Sequence, residues 1–185
     1  MENISNVKKL TRAGMMVAFA FIIIFIGSRL EGAAFNQLVV GPLVNTVIII
    51  SLLTTDLKYG ILVSLLTPVI ALITGQFPSL GAPFVPFIMI GNSILTLSIW
   101  VCERYIRKYG LYVGIVIGAI LKALMLSVSI KYLVALFKIG IPKPLVAKLS
   151  IMMSYPQFYT AIIGGVIAVI FYSAYKRNHR KIQIN

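Results

Sequence analysis

Residues 42–74 read PLVNTVIIISLLTTDLKYGILVSLLTPVIALIT. Two apolar runs flank a short polar break, Thr55-Asp56-Leu57-Lys58, and every charge in the stretch falls inside that break. A helix on the surface of a soluble domain keeps a charged face toward water, and neither run has one. The break has room only for a turn, so the two runs form a tight helical hairpin. An arm that crosses the hydrocarbon core of a bilayer needs about 20 apolar residues, with a usual range of about 17–25. The downstream arm, 59–74, approaches that length and carries Pro68, which is expected to kink it. The upstream arm, 42–55, is short unless it begins earlier, near Gln37.

Outward from the hairpin lie four further apolar segments, at 11–30, 83–101, 110–137 and 151–175. The fifth in chain order, 110–137, is long enough that it must tilt or emerge from the bilayer. Composition agrees: 59% of the residues are hydrophobic, 11% are charged, and the mean hydropathy is +0.99. Soluble domains carry about 25% charged residues. A chain of 185 residues has too much surface for its volume to hide this apolar excess from water, so lipid must be its solvent. The expected fold is all-α: one membrane domain, 1–185, of six transmembrane helices, with basic ends at 1–10 and 176–185.

The net charge of +13 does not point to nucleic acid, because the charges punctuate the apolar runs instead of striping one surface. With Cys102 alone, a disulfide framework or cysteine-rich metal site is excluded, and His179 stands in the basic tail. Neither metal nor cofactor is expected. Lys8, Lys9 and Arg12 ahead of an apolar run resemble a signal peptide, but no Ala-x-Ala site follows, so the segment reads as a retained first helix. Six spans divide the basic residues unequally. Lys8, Lys9, Arg12, Lys58, Arg104, Arg107, Lys108 and the basic C-terminal residues share one side, against Arg29, Lys138, Lys143 and Lys148 on the other. Basic loops stay inside, which places both termini in the cytoplasm of a prokaryotic plasma membrane protein.

The loops assigned to the outer side are the more elaborate. The first, 28–41, holds Arg29, Glu31, Asn36 and Gln37; the second contains GQFPSLGAPFVP, 75–86, whose three prolines are expected to prevent helix and fix turns. Polar groups placed within a bilayer are expensive unless satisfied. At 1.5 Å per residue, Asn45 lies about one turn below the outer surface, Asn92 about 12 Å, Gln157 about 9 Å and Lys131 about 10 Å. Tyr155 and Tyr159 flank Gln157. Amides that donate and accept, tyrosines that offer an aromatic wall and a lysine that offers charge suit a small polar ring compound. Taken singly, each amide also serves as interhelical packing glue, and each tyrosine as part of an interfacial belt. Lys122 and Lys131 are nine positions apart, about 900° of helix, and therefore on opposite faces. Lys131 can snorkel outward. Lys122 sits near mid-membrane, where a lysine faces protein or a cavity.

Small residues recur at four-residue spacing: Gly14/Ala18, Gly114/Gly118 and Ala161/Gly165. The last two pairs read as packing within the bundle, and Gly14/Ala18, just behind the basic N-terminus, as a site where a partner helix docks. No phosphate-binding loop, Ser/His/Asp set or His-Glu-x-x-His motif is present, and the four acids (Glu2, Glu31, Asp56, Glu103) supply no intramembrane acid–base pair. The expectation is therefore a protein that is not an enzyme and has no motor or ion coupling of its own.

These features together resemble the substrate-binding S components of energy-coupling factor (ECF) transporters. The resemblance covers nearly the whole chain: its size, six spans, the basic KKLTRAGMMVA entry at 8–18, and PFVPFIMIGNSILTLSIW at 83–100, which is similar to the family's amide-bearing fourth helix. It implies capture of a vitamin or related micronutrient near the outer face. It also implies docking of a transmembrane coupling subunit on a small-x-x-x-small stripe, matched by Gly14 and Ala18, and two cytoplasmic ATPases beyond that subunit. Asn36, Asn92, Lys131, Tyr155 and Gln157 lie in regions that contact ligand in such proteins; Asn45 and Tyr159 join them from the depth argument, and Lys122 is a further candidate that either lines the pocket or lies below it as a structural residue. Lys122 and Lys131 favour a ligand with a carboxylate or phosphate. A structural subunit of a membrane complex and a small carrier without a motor are the competing readings.

Overall fold

The computed structural model describes residues 5–30, 35–77, 79–106, 108–136, 147 and 150–182; the side chains of 80, 131, 133–136 and 178–182 lie outside that description. Among the described residues the bundle is formed by α1 (Asn6–Arg29), α2 (Gly41–Thr54), α3 (Leu57–Ile73), α4 (Val85–Tyr105), α5 (Gly110–Leu136) and α6 (Tyr155–Ile182). No strand occurs among the described residues. Five helical stretches are long and apolar enough to cross a membrane, and α3 is a shorter apolar helix of 17 residues. At 1.5 Å per residue α3 spans about 25 Å, the low end of what a bilayer needs.

Local chemistry sets the helix ends. Asp56 caps α3 through its carboxylate, which accepts a hydrogen bond from the Tyr59 backbone N–H, so the polar break in the quoted stretch is a turn followed by a helix start. Pro42 and Pro86 occupy first-turn positions of α2 and α4, where proline's fixed φ suits the helix. Ahead of α2, Asn36–Val40 forms a π-helical turn that runs into the α-helix without a break, extending that span upstream as its length demands.

One expectation needs correction. The segment after Gly75 was expected to be kept from helix by its prolines, yet Ser79–Phe84 is a 3-10 helix with Pro83 inside it. Proline's fixed φ lies within the 3-10 range, so Pro83 costs this short helix one N–H donor without abolishing it. At the C-terminal end α6 continues past the apolar run to Ile182. The expected loop at 138–150 falls almost wholly outside the described residues.

Helix α2 packs against α6, α4 against α3 and α5, and α1 against α2 and α3. Glycines permit the closest approaches. A Cβ on Gly114 would lie 2.6 Å from Ile99 Cα, and one on Gly165 would meet Ile115 Cγ2, so Gly114/Gly118 and Ala161/Gly165 face neighbouring helices, as expected for packing pairs. Hydroxyls add interhelical bonds: Ser64 Oγ and Thr96 Oγ1 lie 2.8 Å apart between α3 and α4, and Thr46 Oγ1 donates to Gly164 O at 3.0 Å between α2 and α6. At the end of the bundle where α1 begins and α6 finishes, Lys9 Nζ pairs with Asp56 Oδ2 at 3.1 Å, and Arg12 donates to Thr54 O at 3.0 Å. The opposite end is hollow.

Candidate functional site: a cavity between all six helices

The hollow is a cavity of about 530 Å³ at the end of the bundle away from the chain termini. Each helix turns a few residues into it: Ile24 and Ser28 from α1, Val44 and Asn45 from α2, Thr67, Pro68 and Ala71 from α3, Ile88 and Asn92 from α4, Lys122 from α5, and Pro156, Gln157 and Thr160 from α6. The π-helical turn adds Asn36, Gln37 and Val40, and the turn after α3 adds Gly75, Gln76 and Phe77. A space of this size lies within the range of small-molecule sites.

Its deepest polar feature joins three helices. Lys122, 2% exposed, donates from Nζ to Asn45 Oδ1 at 2.7 Å. The Asn45 amide nitrogen donates to Gly41 O at 2.9 Å and to Thr160 Oγ1 at 3.4 Å. Asn92, on the wall opposite, donates to Ser64 O and to Thr67 Oγ1, both at 3.3 Å, and its Oδ1 has no partner among the described residues. Nearer the mouth, Gln76 Nε2 donates to Asn36 Oδ1 at 3.4 Å, linking the turn after α3 to the π-helical turn. Gln157 donates to Met152 O at 3.2 Å, and Tyr159 donates from its hydroxyl to Gln37 Oε1 at 3.3 Å. Asn36, Gln37, Gln76 and Gln157 therefore each keep one end of the amide without a protein partner among the described residues, while their other ends are anchored.

The packing that makes this possible is tight. A Cβ on Gly27 would lie 2.6 Å from Val40 Cγ2, 2.9 Å from Gln76 Nε2 and 3.1 Å from Asn36 Oδ1, so only glycine lets α1 pass beneath the mouth pair. On the far side Gly164 brings α6 onto α2, where a Cβ would meet Pro42 O at 2.5 Å and Asn45 Cβ at 2.7 Å.

Of the residues expected to meet, Asn36, Asn45, Asn92, Lys122 and Gln157 do line one cavity. Tyr155 does not: it is 84% exposed. The reason is helical geometry, since residues two positions apart on α6 point about 200° apart. Gln157 faces the cavity and Tyr155 turns away. Tyr159 is turned the same way as Tyr155, and its hydroxyl reaches the site through Gln37 instead of forming a wall. The expected aromatic wall is replaced by aliphatic side chains with Phe77. Lys131 belongs to α5, but its side chain lies outside the description. Gln76 and Thr160 were missed as site residues. Gln76 stands in a proline-rich loop read for its turns, and Thr160 resembles any helix-surface hydroxyl until α2 is packed against it.

Gly14 and Ala18 lie on the exposed face of α1, and a Cβ on Gly14 would meet nothing within 4 Å. Their α1 neighbours Ala13 and Ala20 are buried.

Such a bundle, apolar outside and hollow at one end with a cavity of small-molecule size, is that of a multi-pass membrane protein. Comparison of the chain with known families makes the class specific. The family model described as "ECF transporter, substrate-specific component" matches residues 8–174, nearly the entire chain. The chain belongs to that family: it is a substrate-specific component of an ECF transporter, a multi-pass cell-membrane transport subunit that works with other ECF components and a substrate. Searches of curated proteins and of solved structures return no match.

Proposed function

We propose that this chain captures a small water-soluble micronutrient, a vitamin or related compound, in the cavity between its helices and delivers it to an ATP-driven importer. The observation that carries this reading is that α1 to α6 line one hollow in which the amides of Asn36, Gln37, Gln76, Asn92 and Gln157 are each anchored at one end and unpartnered at the other among the described residues. Anchored amides lose little freedom when a guest arrives, so binding energy is not spent on ordering them. A purely structural subunit needs interhelical packing but gains nothing from this hollow.

The cavity lies at the bundle end away from the termini, and the basic residues around the termini favour the cytoplasm for that opposite end. The cavity then opens outward. The exposed Gly14/Ala18 face of α1 supports docking of a transmembrane coupling subunit, with two cytoplasmic ATPases beyond it. The chain itself carries no phosphate-binding loop and no catalytic constellation, so it acts as a binding subunit and not as an enzyme. Native mass spectrometry of protein purified from cells grown in rich medium tests capture directly: a stoichiometric small molecule is expected, bound without ATP. Uptake of that molecule by cells is expected to require co-expressed motor subunits. A protein that leaves the membrane empty and binds no micronutrient would remove the reading.

A further inference from the structure

Lys122 is the one charged side chain among the described residues that line the cavity. A lysine this deeply buried ordinarily faces a carboxylate. Here its partner is the neutral oxygen of Asn45, at 2.7 Å. The acids among the described residues are at the other end of the bundle. Asp56 is eleven residues along from Asn45 and Glu103 eleven from Asn92, each about 16 Å away along its helix. Asp56 is also already paired with Lys9. An ammonium group has three N–H donors, and Asn45 takes one of them. Among the described residues nothing accepts the other two, and the side chain borders open space.

Building on the capture reading above, we propose that the ligand is an organic carboxylate whose carboxylate group binds Lys122 Nζ beside Asn45, while the unpartnered amide ends of Asn92 and Gln157 read its other polar groups. The missing counter-charge is then supplied by the cargo. Cavity and ligand each bring one charge that is costly to bury alone, and together they form a charge-assisted hydrogen-bonded pair. The stoichiometry of charge favours a carboxylate over a phosphate monoester, which brings about 1.5–2 negative charges at neutral pH. The one lysine among the described lining residues leaves much of that unmatched. A cationic ligand would be repelled. The anchoring of Asn45 by Gly41 O and Thr160 Oγ1 holds the lysine's partner still, which fixes the ammonium group at the cavity wall.

The test uses the full-length protein in detergent or nanodiscs. Thermal stabilisation and calorimetry are run with a panel of water-soluble carboxylates, each paired with its primary amide, and with phosphate monoesters and amines of similar size. The best ligand is expected to be a carboxylate that loses at least about tenfold in affinity when its carboxylate is replaced by the neutral amide. Lys122→Met is expected to erase that difference, so that acid and amide bind it comparably. A phosphate monoester, an amine or a neutral compound as the tightest ligand would overturn the proposal while leaving capture intact, as would Lys122→Met with undiminished preference for the acid. If Lys122→Met does not fold, the acid-versus-amide comparison on the unaltered protein decides alone. Failure of every chemical class to bind, with nothing co-purifying, would instead refute capture itself and this proposal with it.

Discussion

Lys122 Nζ and Asn45 Oδ1 stand 2.7 Å apart, a single hydrogen bond that ties the middle of α5 to the first turns of α2. The same asparagine reaches α6 through Thr160. One amide thus takes a single N–H of the lysine without neutralising its charge. The relationship joins the fold to the function, because removing the amide loosens three helices and replacing it with an acid changes the cavity's charge.

Asn45→Asp separates those two effects. The aspartate has nearly the shape of asparagine, and its ion pair with Lys122 offsets the loss of the N–H donated to Gly41 O, so the melting temperature is expected to change little. Affinity for an anionic ligand is expected to fall at least about tenfold, since the cation is already matched. Calorimetry beside a melting curve measures both, and unchanged affinity would show that Lys122 does not contact the anion.

At Gly164 the approach of α6 to α2 leaves no space for a side chain, and its carbonyl accepts from Thr46 Oγ1 at 3.0 Å. The atoms nearest an added Cβ include the backbone oxygen of Pro42, which cannot rotate away. Gly164→Ala is expected to cost about 1–3 kcal/mol of stability through overpacking. Because Asn45 Cβ is the second-nearest atom, ligand affinity should fall as well. A variant as stable and as tight-binding as the parent would show that the helices repack freely here.

Asn92 and Thr96 both bind α3 across the same interface, but only Asn92 lines the cavity. Asn92→Ala and Thr96→Val should each lower stability by about 1 kcal/mol, the scale of an interhelical hydrogen bond in a membrane protein. Ligand affinity is expected to drop in Asn92→Ala and to stay level in Thr96→Val. Equal affinities for the two variants would place Asn92 with the packing groups.

On α1, Gly14→Phe or Ala18→Phe projects a ring from an exposed face into open space. Melting temperature and ligand affinity should be unchanged, whereas co-purification with the coupling subunit and uptake should be lost. Gly114→Phe is the contrast. Its Cβ would fall 2.6 Å from Ile99 Cα, so it should destabilise the bundle itself. A Gly14→Phe chain that still assembles with its motor would move the docking site elsewhere.

Much of this architecture can be read from order along the chain. The charge-free runs on either side of Asp56 and Lys58 require a hairpin of spans, because hydrophobic length and charge spacing are local properties that lipid reads one helix at a time. Depth along a helix is equally local, and it brought Asn45, Asn92 and Gln157 to one level before any packing was known.

Direction around the helix axis is a different matter. Tyr155 and Gln157 share a depth, yet about 200° separates them, and only the packing of α6 against α2 decides which of them faces inward. The partner of Lys122 was equally hidden, since Asn45 is 77 positions away and no pattern links them. Chain order set six membrane helices and the level of their polar groups, because burial in lipid depends on each segment's own composition. Helix rotation, the hollow, and the meeting of Lys122 with an uncharged partner came from tertiary packing, because they depend on how six surfaces fit one another at once.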